Sequence, residues 1–154
     1  MSSPRLEQFL LEHRVAFRTQ PHAATFTAQE TAASTHVRGK DLAKPVMVEL
    51  DDRLVMVVLP ASERLHLGRL REATGAREAR LAHESEFRDH FPECELGAMP
   101  PFGNLYGLET IVSDSLAEDD EIAFNAGNHT ELMHVAYLDF VRLAHPRVMN
   151  LRRH

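Results

Sequence analysis

Fifteen arginines stand in this 154-residue chain against two lysines, and both lysines, Lys40 and Lys44, fall within one five-residue segment. Either cation serves general solubility, but lysine carries a compact, rotatable ammonium whose pKa moves on burial. A chain that otherwise uses arginine keeps lysine where the smaller head is needed. Pro45 confines Lys44 to extended backbone and directs it at the start of an apolar strand. Lys44 is therefore a candidate for binding an anion or for stabilising developing negative charge. The plainer account of the same residue is an exposed lysine just ahead of a strand.

A second candidate is the loop Gly97-Ala98-Met99-Pro100-Pro101-Phe102-Gly103. Glycine admits a ligand close to the backbone, and paired prolines stiffen a loop while leaving neighbouring N–H groups outside any strand. Such a loop can aim donors at a carbonyl oxygen, as acyl transfer requires; it also reads as a rigid connector. The third is Asn125-Ala126-Gly127-Asn128-His129, a turn with glycine where positive φ is suited. The turn alone explains Asn125, Gly127 and Asn128. His129, one of ten histidines, reads either as a site residue or as a hydrogen-bonded turn residue.

Other constellations are weak. His129 and His134 are five residues apart, which fits neither a helical H-E-x-x-H face nor one face of a strand, so no metal is expected. No G-x-S-x-G elbow, P-loop or G-x-G-x-x-G occurs. Cys94 lies near the proline loop and leaves a thiol hydrolase as a distant alternative.

The elements that must hold these groups read as follows. Pro4 after Ser3 opens a helix with Leu6, Phe9 and Leu10 on one face. Val15 and Phe17 alternate as a short strand, and Thr27-Ala28-Gln29-Glu30 is a capping box that opens a second helix. Val46 to Leu59 is a hairpin about Asp51-Asp52, apolar enough to be buried on both faces. A helix carrying Leu65, Leu67 and Leu70 closes at Gly75, and a short one spans Ser85 to His90. Leu108–Val112, Glu121–Asn125 and Thr130–Val135 read as strands, and a last helix from Tyr137 stops before Pro146. Hairpins with scattered helices predict an α+β fold in one domain over residues 1–154.

Net charge is −6 with 26% charged residues, so the chain as a whole does not attract polyanions, and any nucleic-acid contact must be local. The nearest basic cluster is Arg38, Lys40 and Lys44. A single cysteine fits a reducing compartment, and neither an apolar leader nor a membrane-length run is present, so a cytoplasmic protein is expected.

In their order, the His22–Glu30 segment, G-K-D-L-A-K at Gly39–Lys44, V-M-V-V-L-P ending at Pro60, G-A-M-P-P-F-G and N-A-G-N-H resemble the YbaK/ProX family, from about Phe9 to Pro146. The resemblance implies a mixed, barrel-like sheet flanked by helices and hydrolysis of the ester joining an amino acid to the terminal adenosine of tRNA. It implies no cofactor, metal or protein nucleophile, with a ribose hydroxyl of the substrate available to assist. The family's lysine falls on Lys44, as the catalytic group, and its glycine-proline loop on Gly97 through Gly103. Gly97, Ala98, Met99, Pro100 and Gly103 would then line the substrate with Asn125, Gly127 and His129, while Arg38 and Lys40 touch the tRNA acceptor end. An aminoacyl-tRNA synthetase is a further candidate partner. Pro100 stands where a serine is usual, which removes a hydroxyl, and Pro45 also departs from the pattern. The Pro45 departure means the amino-acid specificity does not carry over, while the missing hydroxyl and the acidic balance keep open a catalytically silent module that binds an amino-acid-like ligand or a synthetase.

Overall fold

The apolar runs flanking Asp51-Asp52 pair as an antiparallel hairpin, β2 (Ala43–Leu50) with β3 (Arg53–Pro60). Both turn residues have positive φ, 47° and 67°, as a two-residue hairpin turn requires. Asp51 tolerates this because its carboxylate accepts the N–H groups of Arg77 (3.0 Å) and Glu78 (2.9 Å), contacts that also hold its pKa down. The computed structural model describes residues 3–25 and 27–152; Phe26 of the His22–Glu30 segment and the extreme ends of the 1–154 domain lie outside them.

Helix α1 (Pro4–Glu12) begins where Ser3 Oγ accepts the Leu6 N–H at 3.3 Å, and it buries Leu6 and Leu10. Strand β1 (Phe17–Pro21) follows. Thr27 Oγ1 accepts the Glu30 N–H at 3.1 Å to open α2 (Ala28–Thr35). After the hairpin come α3 (Leu67–Thr74), closed by Gly75 at φ 76°, then β4 (Ala79–Leu81) and α4 (Glu84–Phe87). The chain ends in β5 (Glu109–Ser113), β6 (Glu121–Asn125), β7 (Glu131–Ala136), α5 (Tyr137–Ala144) and β8 (Arg147–Met149).

The α+β expectation holds, but the strands divide into two sheets instead of closing into one. A five-stranded mixed sheet runs β4-β2-β3-β5-β8, and a three-stranded antiparallel sheet runs β1-β7-β6. Among the described residues a parallel bridge, Leu42 to Ala123, links them. The main core contains Met47, Met56, Val58 and Val112 from the larger sheet, with Ile122, Phe124, Met133 and Val135 from the smaller. The opposite face of the hairpin, Val48, Val55, Val57 and Leu59, packs with Leu70 of α3. Burial of β3 on both faces explains its unbroken apolar run. Pro45 is tolerated because β4 reaches only Val48–Leu50, leaving β2 without that neighbour at its start. No helix among the described residues is long and apolar enough to cross a membrane.

The proline loop enters this core through Phe102, whose ring centroid lies 5.9 Å from Phe9, 5.6 Å from Phe124 and 5.5 Å from Phe140. Phe102→Ala removes the hub of an edge-packed aromatic cluster. Denaturant unfolding should show a loss of about 3–5 kcal/mol, larger than for substitution of an exposed side chain.

Candidate functional site

The structure brings two of the three candidate segments together. Glu95 N–H donates to Gly127 O at 2.8 Å, and Gly127 N–H donates back to Ala98 O at 3.0 Å. The proline loop and the β6–β7 turn are thus joined by reciprocal backbone bonds. His129 is buried beneath the loop, its Nε2 2.8 Å from Leu96 O, so the ring donates there and the proton sits on Nε2. Glu95 Oε2 accepts the His129 N–H at 3.3 Å. On the other side, Thr25 N–H donates to His129 O at 3.3 Å and His22 N–H to Thr130 O at 2.8 Å. The N-A-G-N-H turn is therefore gripped by the proline loop and by the His22–Thr25 segment.

Within the loop, the amides differ. Ala98 N–H is used internally, by Glu95 O at 3.1 Å, so Ala98 serves the clasp through both its N–H and its carbonyl. Gly97, at φ 85°, donates only to the thioether of Met99 at 3.3 Å, a weak acceptor, and the Met99 N–H has no partner among the described residues. Pro100 and Pro101 are buried, and their pyrrolidine rings offer no hydroxyl to the loop. Gly103 is an anchor: its N–H donates to Thr110 Oγ1 at 3.0 Å, and a Cβ there would stand 2.6 Å from that oxygen. Asn125, at the end of β6, has a buried Oδ1 without a donor among the described residues. Asn128 caps the turn, accepting Thr130 N–H at 2.9 Å.

A third support is absent from the sequence reading. Ser3 N–H donates to Ala126 O at 2.7 Å while Ser3 Oγ donates to Glu93 Oε1 at 2.9 Å. Glu93 also meets Arg5 at 3.6 Å and Tyr106 Oη at 3.4 Å, and Arg5 lies over the Tyr106 ring. The cap of α1 thus holds both the turn and the approach to the loop. Ser3 was legible as a helix start, but nothing local pointed to its partners ninety or more residues away. Cys94 belongs to this brace, 3.4 Å from Tyr106 Oη, and burial pushes its thiol pKa up, which disfavours a thiolate nucleophile. Among the described residues no cluster of three His, Cys, Asp or Glu side chains could hold a metal ion.

Lys44 is set apart from the clasp. Ala43 and Met47 face the core that includes Met99 and Phe102, whereas Lys44 alternates to the face of Val46 and Val48. It is half-buried, and burial lowers its pKa, opposed by nearby Glu63 and reinforced by Arg64. Arg38 and Lys40 line a cleft of about 430 Å³ with Asp41, Glu118, Asp119, Asp120 and Glu121, and Arg38 Nε is held by Asp41 Oδ2 at 2.8 Å. This bank of carboxylates was unforeseen, because Asp41 and Asp119 are distant in sequence. Burial, and then a hydrogen bond with Asp41, pushes the Asp119 carboxyl up to about 7, so Asp119 retains a proton that a solvated aspartate would lose.

Two outcomes follow from this geometry. Gly127 has φ 100° and a Cβ there would stand 2.9 Å from Ser3 Cβ, so Gly127→Ala should cost about 2 kcal/mol or more in denaturant unfolding and loosen the loop. Asp119 binds its proton more tightly folded than unfolded. Its stabilising share is complete below its unfolded pKa near 4 and is lost as pH rises through about 7. Unfolding measured across pH 4–7 should accordingly show a decline that Asp119→Asn flattens.

Residues 22–143 match the family model of the aminoacyl-tRNA editing domain. Over 157 aligned positions the chain is 31% identical to the Multifunctional Ser/Thr-tRNA deacylase ProXp-y of Escherichia coli (strain K12), spanning 97% of this chain and 92% of that protein. Among solved structures, a proposed trans-editing enzyme for prolyl tRNA synthetase superimposes with a TM-score of 0.83 at 20% identity, covering 99% of this chain and 97% of that one. A hypothetical protein superimposes with a TM-score of 0.84 at 20% identity, over 96% and 98% of the two chains. At such identities the superpositions speak for the fold. The family match takes in the hairpin, the proline loop and the N-A-G-N-H turn alike, and with a deacylase relative aligned along nearly its whole length, this chain belongs to the aminoacyl-tRNA editing domain family.

Proposed function

We propose that the chain is a trans-acting deacylase that hydrolyses the ester between a wrongly attached amino acid and the terminal adenosine of tRNA. The observation that carries this reading is the clasped loop, which holds the Gly97 and Met99 amides without a strong acceptor. As water adds to the ester carbonyl, negative charge grows on its oxygen, and two fixed amides stabilise that charge without reorganising. The ester C–O bond then breaks, the ribose oxygen takes a proton, and free amino acid and tRNA leave. A ribose hydroxyl of the substrate can orient the water, so positioning and electrostatics suffice and no protein nucleophile is required.

In this reading Asn125 Oδ1 accepts the α-ammonium of the aminoacyl group, and His129 and Gly127 keep the loop in place. Lys44, leaving the sheet on the face away from Met99, holds the acceptor end instead of touching the reacting carbonyl. Arg38 and Lys40 extend that contact along the tRNA. The acidic balance of the chain leaves room for a synthetase partner that supplies further tRNA affinity, in the cytoplasm where tRNA is charged. A silent binding module is the second reading, favoured by the buried Pro100 in place of a serine. A panel of mischarged tRNAs, beginning with Ser-tRNA and Thr-tRNA because the Escherichia coli relative is named for them, decides between the two. Release of an amino acid supports the deacylase; silence across the panel supports the module.

For the substrates that are cleaved, Lys44→Ala should lower kcat/KM by about 10- to 100-fold, the value of one charge-assisted hydrogen bond, with thermal stability retained. Lys44→Arg should restore only part, because a planar fork does not replace a point charge. The ammonium is the active form, and burial lowers its pKa, so activity corrected for spontaneous hydrolysis should fall on the alkaline side below the ordinary lysine range. Lys44→Ala should lack that limb.

A further inference from the structure

Arg38 and Lys40 precede Lys44 in the chain and Arg64 acts on it from another segment, and these cations are not equivalent. On the side of Arg38 and Lys40, charge is largely met: Arg38 is ion-paired with Asp41, and Lys40 shares its cleft with Glu118, Asp119 and Glu121. On the other side, the chain leaving β3 doubles back along the segment that precedes β2. Ala61 N–H donates to Leu42 O at 2.7 Å and Ser62 N–H to Gly39 O at 3.3 Å. The approach is close enough that a Cβ on Gly39 would stand 3.3 Å from Ser62 Cβ. This turn carries Glu63 and Arg64 beside Lys44, a pairing that neither sequence motif nor charge run reveals.

The two turn residues point their charges differently. Glu63 accepts a hydrogen bond from the buried Ser113 Oγ at 3.2 Å, which ties its carboxylate to the end of β5. Arg64 is exposed and forms no ion pair among the described residues, and neither does Lys44. Their mutual repulsion is felt, since Arg64 acts to lower the Lys44 pKa. Glu63 offsets this repulsion at Lys44, but Arg64, exposed and without an ion pair among the described residues, is left to meet an anion from solvent. Arg64 also opens a groove of about 680 Å³ that continues past His66 and Arg69, where the one carboxylate, Glu72, is occupied by Arg69 at 3.3 Å.

We propose that Arg64, together with Lys44 and Lys40, forms the surface that holds the phosphodiester backbone of the tRNA acceptor strand, with the groove beside α3 taking the strand as it leaves the site. This rests on the deacylase reading for the identity of the polyanion. It reconciles an acidic chain with an acidic partner: a few cations that are only partly compensated, gathered on one rim, suffice for a weak, local contact. The phosphates that the surface neutralises number about one to three, which gives a shallow salt dependence.

The test is binding of labelled, uncharged tRNA by fluorescence anisotropy over a series of KCl concentrations, with the full chain and its variants. Arg64→Ala should weaken binding about three- to tenfold at low salt and lower the slope of log affinity against log salt by about one. Arg64→Glu should weaken it further. Arg88→Ala, which removes an exposed arginine unpaired among the described residues on another element, should bind as the parent does. Because Arg64 is exposed, melting temperatures should agree among all variants. Parent-like affinity and slope in Arg64→Glu, an equal loss in Arg88→Ala, or no measurable binding by the parent would each overturn the proposal. Hydrolysis of Ser-tRNA and Thr-tRNA by the parent, run in parallel, tests the deacylase reading separately: tRNA binding that depends on Arg64 without hydrolysis would retain the surface and remove the activity.

Discussion

A loop that contains Pro100 and Pro101 cannot be held by strand pairing, because two of its residues have no N–H to offer. Its position depends on the reciprocal bonds between Glu95, Gly127 and Ala98, backed by the His129 ring on Leu96 O. Each of these is an ordinary hydrogen bond of about 1 kcal/mol net, yet all of them act on a single short segment. The glycines follow from the same constraint. Gly97 carries positive φ above His129, Gly127 meets Ser3, and Gly103 closes on Thr110, so each occupies a place where a Cβ is strained or crowded. Rigidity gained this way is useful chemically, since donors fixed in advance need not reorganise as charge develops.

Charge in this molecule is arranged locally and against the sign of the whole. The net charge of −6 opposes a nucleic-acid partner, and a carboxylate-rich cleft lies beside Arg38 and Lys40. At the rim formed by Lys44 and Arg64, Glu63 is tied to Ser113 and acts on Lys44, which leaves Arg64 without an ion pair among the described residues. Arg38 and Lys40 are partly neutralised by the carboxylates of their cleft whereas Arg64 is not, so the two surfaces together orient a polyanion more than they attract it.

Much of the fold was legible in the sequence. Apolar runs about Asp51-Asp52 predicted the hairpin, and Ser3-Pro4 and the T-x-x-E box predicted two helix starts, because these features are set within a few residues. Strands β4 and β8 were missed: each has three residues, mostly exposed, with no alternation to read. Division into two sheets was equally hidden, since it turns on which distant strands pair. At the site, Lys44, the proline loop and His129 stood out by residue type, but their relation did not. Backbone-to-backbone bonds leave no side-chain signature, so the clasp was invisible. The face from which Lys44 emerges required the register of β2, and Ser3, Glu93 and Arg64 matter only through contacts with segments far along the chain.

The contact between Ser3 and Ala126 also bears on how the protein comes into being. The clasp draws on residues near 3, 22–25, 93–98 and 126–129, spread over most of the chain. Contacts of such sequence separation form late, after long loops have closed. During vectorial synthesis, a nascent chain can already possess α1 and the β2–β3 hairpin while its site is still missing, because the turn that completes it has not left the ribosome. Assembly of the loop is thereby delayed until the smaller sheet is in place, and a truncated product, even one carrying every residue as far as Gly103, lacks the scaffold that holds it.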